Sequence, residues 1–240
     1  MNELAPQLEQ LGRRDARAIL AATLDHYDDR VALAMSFQVG GCVLLDMLHR
    51  MGKPVEVFSL DTGRLPEETY ECANRIAYRY NINVRWVHPN HEAVEQLIRE
   101  KGVFSFKDSV ENRKECCGIR KVEPLARVLA PFDAWITGRR MEQSENRRQL
   151  NVVEPDHLHL GKFKINPLAE WRIGDLWHYV RKHNVPYNRL YDNGYLSIGC
   201  ECCTRPCKTG EDERAGRWWW EHEEHKECGL HITFKDGAGI

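Results

Sequence analysis

The ten residues from Ile198 to Cys207, IGCECCTRPC, hold four cysteines: Cys200, Cys202, Cys203 and Cys207. Far upstream Cys116 and Cys117 stand side by side, and Cys228 stands alone near the end of the 240-residue chain. Thiolates ligate soft metals and attack electrophilic centres, so these residues point to metal binding, nucleophilic chemistry or both. Structural zinc usually takes two spaced cysteine pairs. Here one pair is adjacent and the other, Cys200 and Cys203, is spaced C-x-x-C. Neighbouring side chains on a helix diverge by about 100°. That cramps two thiolates around one ion but suits the separated corners of a four-iron cluster. Spacing therefore favours an iron–sulfur cluster, with zinc and no metal as the alternatives. Cys42 and Cys72 fall inside predicted helices and read as small buried hydrophobes.

Cys228 lies in KECGLH, between Lys226 and His231. Nearby positive charge raises the thiolate fraction at neutral pH, so the choice is between a reactive thiol and an inert exposed one. Arginines gather at 139–148 and at 205–217. Clusters this local suit a small anion. Lysine plus arginine total 34 against 36 acids, which is not the basic surplus of a duplex nucleic-acid binder.

The elements that must position these residues alternate. Short apolar runs at 31–37, 55–61, 84–89 and 134–138 read as buried strands, and the stretches at 42–51, 66–80, 91–102, 116–130 and 172–185 read as helices. The alternation predicts an α/β protein with a parallel sheet and helices on both faces. Ligands of such sheets bind beyond the carboxyl ends of the strands. Three strand ends, 36–41, 59–64 and 137–148, are rich in hydroxyls, glycines and arginines. Leu60 and Gly138 could offer backbone contacts there, and Ser36 and Thr62 their hydroxyls, to a ligand bound at these ends. After residue 150 the pattern loosens. Residues 1–210 read as one ligand-binding α/β body, and 211–240 as a mobile tail carrying Cys228. The N-terminus has no apolar signal core and no stretch spans a bilayer, so a cytoplasmic protein is expected, where nine cysteines do not form a disulfide framework. The oligomeric state is left open.

CC at 116–117, CxxC at 200–203 and ECGLH at 227–231, with SLDTGRLPEETY, ITGRR, CTRP and GRWWW, resemble the assimilatory adenylyl-sulfate reductases. These are the iron–sulfur branch of the phosphoadenylyl-sulfate reductase family. The resemblance implies a fold like the adenine-nucleotide hydrolases. It implies a [4Fe-4S] cluster on Cys116, Cys117, Cys200 and Cys203, with a structural and electrostatic role. It implies Cys228 as nucleophile, adenosine 5′-phosphosulfate as substrate, and thioredoxin or a glutaredoxin-like donor as reductant. By the same resemblance Lys121 links cluster and substrate, and Arg148, Arg214 and Arg217 hold phosphosulfate oxygens. Arg120 is a further candidate cation, and His231 would contact the nucleotide or tune Cys228.

In two places the chain departs from the family pattern. SFQVGGCV (36–43) stands where the family carries an SFSGAED-type loop and has no acidic residue. Cys202 and Cys207 are extra sulfurs, read as bystanders. The rival readings are the same reaction on the 3′-phosphorylated nucleotide, a thiolation enzyme on the same fold, and a non-enzymatic metal-binding redox sensor.

Overall fold

The computed structural model describes Pro6, Leu8, residues 15–144 and residues 147–222. Six strands form one sheet: β1 (Val31–Ala34), β2 (Glu56–Leu60), β3 (Arg85–Val87), β4 (Ala134–Ile136), β5 (Val153–Pro155) and β6 (Phe163–Ile165). Their order is β3-β2-β1-β4-β6-β5. Every pairing is parallel except β5 with β6, which is antiparallel. The four strands expected from the apolar runs are present, trimmed at their ends. β5 and β6 lie where the sequence pattern had loosened; three residues each is too short to show a period.

The helices are α1 (Ala16–Tyr27), α2 (Val39–Arg50), α3 (Glu67–Tyr80), α4 (His91–Lys101), α5 (Val110–Cys117), α6 (Glu123–Leu129) and α7 (Ile173–His183). Polar caps start several of them: Asp15, Asn90 and Ser109 accept from the backbone N–H groups of Ala18, Ala93 and Asn112. The central strands β1 and β4 are apolar on both sides because both faces of the sheet are covered there. Val31, Leu33, Val57, Ala134 and Ile136 pack with α1, α2, α3 and α7. The alternating residues Ala32, Phe58 and Trp135 pack with Leu125, Val128 and Leu129 of α6. Burying each large apolar side chain contributes about 1.5–3 kcal/mol.

Chain order reverses between β1 and β4. The first three strands step one way from β1, and β4 returns to its other side. Such a switch point leaves a crevice at the strand ends.

A third, smaller core joins Leu97, Phe106, Cys116, Cys117, Cys200, Cys203 and Trp218. It draws in residues 211–222, which the sequence reading places in the tail. Trp218 is fully buried, its backbone N–H bonds the Cys203 carbonyl at 3.1 Å, and the Arg205 backbone N–H bonds the Gly216 carbonyl at 3.0 Å. The packed body therefore runs past residue 210. A buried site for Trp218 exists only once the two cysteine segments meet. Residues 223–240, with Cys228 and His231, lie outside the described residues.

Candidate active site and thiol-lined cavity

The switch point opens into a cavity of about 200 Å³ at the carboxyl ends of β1, β2 and β4. Its floor is made by close backbone approach. A Cβ on Gly40 would lie 2.8 Å from the Gly138 carbonyl oxygen, and one on Gly138 would lie 2.9 Å from Gly41 N. Only glycine at 40 and 138 lets the first turn of α2 sit against the strand end. Phe37 makes the sharp turn into α2 with a left-handed φ of 54°, and its buried ring stacks on Trp86. The first N–H groups of α2 have no intrahelical partner, and a helix N-terminus favours an anion. Tyr191 Oη takes the Val39 N–H at 3.2 Å, while Gly40 and Gly41 line the cavity.

Six cationic side chains line this cavity: Lys121, Arg139, Arg140, Arg147, Arg214 and Arg217. One carboxylate, Glu213, faces them. Arg140, fully buried, donates to Glu213 at 2.6 Å and to Glu142 at 3.2 Å, and Arg139 pairs with Glu154 at 2.8 Å. Gln143 donates to Glu213 at 3.3 Å and accepts from Arg147. This network ties the loop after β4 to the segment bearing Arg214 and Arg217. Those two are 7% and 5% exposed. So many guanidiniums in a partly apolar cleft can hold a compact, multiply charged oxyanion bidentately.

A second cavity adjoins the first, lined by Cys116, Cys117, Cys200, Cys202 and Cys203 with Arg64, Arg113, Arg120 and Lys121. Cys200 and Lys121 line both. The adjacent cysteines end α5, and the chain then widens into a π turn over Gly118–Val122. Pro124 has no N–H for the Arg120 carbonyl, which an ordinary helix would require, and the wider turn accommodates this. The turn buries Arg120 and Lys121. Burial pushes the Cys116 thiol up, against the opposing charges of Arg64 and Arg120. The hydrogen bond with Cys203, and after it Arg64, outweigh burial and draw the Cys202 thiol down to about 6, while the same bond pushes Cys203 up.

Among the described residues, no three cysteine, histidine or acidic side chains converge as around one metal ion. The sulfurs instead ring a cavity, all four of the expected ligands are 6–8% exposed, and the surrounding charges are positive. That donor set fits a polynuclear anionic cluster better than a lone zinc ion.

The sequence-derived residues divide accordingly. Ser36, Leu60, Thr62, Lys121, Gly138, Arg214 and Arg217 line the switch-point cavity. Thr62 also bonds inward, its hydroxyl 3.2 Å from Cys200 Sγ. Arg120 does not line this cavity; it faces the thiols and braces the Thr62 carbonyl at 2.7 Å. Arg148 is exposed and outside the lining, where its neighbour Arg147 stands instead. An Arg-Arg pair in a loop does not reveal which member turns inward. Cys202 lines the thiol cavity, whereas Cys207 lies apart, near the Asp212 and Glu213 carbonyls at 3.8 and 3.9 Å. Several lining residues were not singled out from the sequence, among them Gln38, Tyr191 and Arg64. Gln38 accepts from Ile198 N–H at 3.1 Å, linking the loop after β1 to the cysteine segment. Tyr191 carried no local signal, and Arg64 was visible only as the last residue of LDTGR.

A switch-point crevice with a glycine floor, a helix N-terminus and a ring of cations defines a nucleotide-binding α/β protein. Candida glabrata FMN adenylyltransferase in complex with ATP shares the fold alone, with a TM-score of 0.57, 16% identity and coverage of 98% of this chain and 79% of that one. The chain belongs to the phosphoadenosine phosphosulfate reductase domain family, which its residues 30–206 match. It is 46% identical over 231 residues to the adenosine 5′-phosphosulfate reductase of Burkholderia cepacia, covering 96% of this chain and 90% of that protein. It is also similar to the phosphoadenylyl-sulfate reductase of Candida auris, solved as a phosphate complex, with a TM-score of 0.69, 29% identity and coverage of 84% and 96%.

Proposed function

We propose that this protein reduces adenosine 5′-phosphosulfate to sulfite and AMP in sulfate assimilation. The observation that carries the reading is the adjacency of the two cavities, a cationic nucleotide-sized cleft and a ring of buried thiols sharing Cys200 and Lys121. The 46% identity to a named adenosine 5′-phosphosulfate reductase supports the same substrate.

The adenosine lies over the Gly40–Gly138 floor, with its phosphosulfate toward Lys121, Arg147, Arg214 and Arg217. These cations offset the repulsion between an approaching thiolate and a doubly anionic group. Cys228 supplies that thiolate. Its sulfur attacks the sulfonate sulfur, the bond from that sulfur to the bridging phosphate oxygen breaks, and AMP leaves with the electron pair. The enzyme is left as a cysteine S-sulfonate. A thiol of a thioredoxin-class protein then attacks the Cys228 sulfur, sulfite departs and a mixed disulfide forms. The partner's second thiol resolves it. The two thiols supply the two electrons that take sulfur from sulfate to sulfite, so no other donor is required. His231 lies close enough in sequence to Cys228 to tune its thiol.

Cys116, Cys117, Cys200 and Cys203 would hold a [4Fe-4S] cluster, whose chemistry here is to order these segments and set the local charge. Lys121, lining both cavities, is the residue through which that charge reaches the substrate.

The test is anaerobic purification followed by sulfite release from adenosine 5′-phosphosulfate and from its 3′-phosphorylated form, with Cys228→Ser beside the wild type. Sulfite from the first nucleotide, abolished in the serine variant, is expected. Normal turnover by the variant refutes the mechanism, and preference for the 3′-phosphorylated form refutes the substrate.

A further inference from the structure

We infer that Gly199 is a positioning residue for the anion site: its missing side chain makes the seat in which the Arg217 guanidinium lies. The inference rests on the proposed nucleotide site and deepens it.

A Cβ built on Gly199 would stand 2.3 Å from Arg217 Nη2, 2.5 Å from Cζ and 3.0 Å from Nε. The guanidinium thus occupies the volume any other residue would fill. Gly199 lies outside the left-handed region, so its backbone does not need glycine. The chain needs glycine there because of what lies on top of it.

Arg217 reaches this seat from a segment bridged to Thr204. Its Nη1 donates to the Ile198 carbonyl at 3.2 Å and to Ser197 Oγ at 3.4 Å. Its Cζ stands 4.8 Å from the centroid of the buried Trp218 ring. The side chain is 5% exposed, and its Nε is buried without a hydrogen-bond partner among the described residues. A buried guanidinium N–H without an acceptor is costly unless a ligand supplies one. Gly199, Cys200 and Arg217 all line the nucleotide cavity. Seat, Ile198 carbonyl, Ser197 hydroxyl and indole together therefore hold one charged fork at a fixed place on the wall.

The clash also makes a selective probe. The atoms that a methyl at 199 would meet are the far end of a flexible side chain. In Gly199→Ala the guanidinium is evicted while the fold is kept. Equilibrium binding of adenosine 5′-phosphosulfate and of adenosine would be measured for the wild type, Gly199→Ala, Arg217→Ala and the double variant, with iron and thermal stability as controls.

Arg217→Ala is expected to lose about 10–100-fold in affinity for the phosphosulfate nucleotide, as charge-assisted hydrogen bonds do. Gly199→Ala should fall within about threefold of it, and the double variant no more than about threefold below either single one, because the two changes remove the same interaction. Adenosine binding and iron content should stay unchanged. Fully additive losses, unchanged binding in Gly199→Ala, or a loss confined to iron content or stability would each overturn the inference, the last showing that Gly199 serves Cys200 instead. If the wild type does not bind adenosine 5′-phosphosulfate, the proposed function itself fails, an outcome separable from a wild type that binds beside an alanine variant that binds equally well.

Discussion

Arg147 and Arg148 pose the residue-scale question directly, since one lines the nucleotide cavity and the other is exposed. Arg147→Ala is expected to weaken binding of the phosphosulfate nucleotide by about 10–100-fold, whereas Arg148→Ala should change it less than about threefold. Calorimetry on the two single variants decides; equal effects would mean the inward residue is misassigned. Asp156 makes a second residue-scale case. Its carboxylate is buried, which by itself would raise its pKa. The His159 hydrogen bond, the Lys164 charge and the Trp135 hydrogen bond outweigh that and hold it at about 2. A carboxylate held below its unfolded value of about 3.9 stabilises the fold above that pH and ceases to do so as pH falls through about 2. The difference is worth about 2–3 kcal/mol. Urea unfolding of wild type and Asp156→Asn should therefore converge between about pH 4 and pH 2. A gap that persists at acid pH would contradict this.

At the scale of elements, the cavity floor depends on α2 meeting the end of β4 without side chains between them. Gly138→Ala puts a Cβ 2.9 Å from Gly41 N and 3.0 Å from Gly40 C, backbone atoms that cannot swing aside. The expected outcome is a shifted α2 N-terminus, with a loss of about 1–3 kcal/mol in stability and weakened adenosine binding. Denaturant midpoints and adenosine titration check both effects. The elements also show where sequence reading stops. β1 to β4 were legible because each falls in a short run of strand-forming residues, three of them followed by an end rich in hydroxyls, glycines or arginines. β5 and β6 were not, since three residues closing a hairpin at the sheet edge carry too little pattern. The π turn after Cys117 was likewise hidden: Pro124 signalled only an interruption in a helix.

The whole molecule is knit where distant segments meet around the thiols. Arg113 of α5 forms a bidentate pair with Glu221, both nearly fully buried, and its Cζ stands 4.7 Å from the Trp218 ring. Trp218 in turn hydrogen-bonds Cys203. Removing one partner of a buried pair strands the other charge, a cost of about 3–5 kcal/mol. Glu221→Gln should lower stability by an amount of that order and loosen the 214–221 segment, read as faster amide exchange there. Exchange that rises everywhere equally would argue against a local anchor.

The residue types by themselves pointed to metal-binding or nucleophilic thiols beside a site for a small anion, and the reaction class followed from the resemblance of the motifs. Cysteine pairs, arginine clusters and glycine-rich strand ends can be read without coordinates because chemistry resides in side chains and periodicity in neighbours. Which arginine faces the cleft, why position 199 must be bare, and that residues 211–222 belong to the packed body were decided only in three dimensions. Each depends on segments far apart in the chain sharing one small volume, and excluded volume between distant residues leaves no local trace in a sequence.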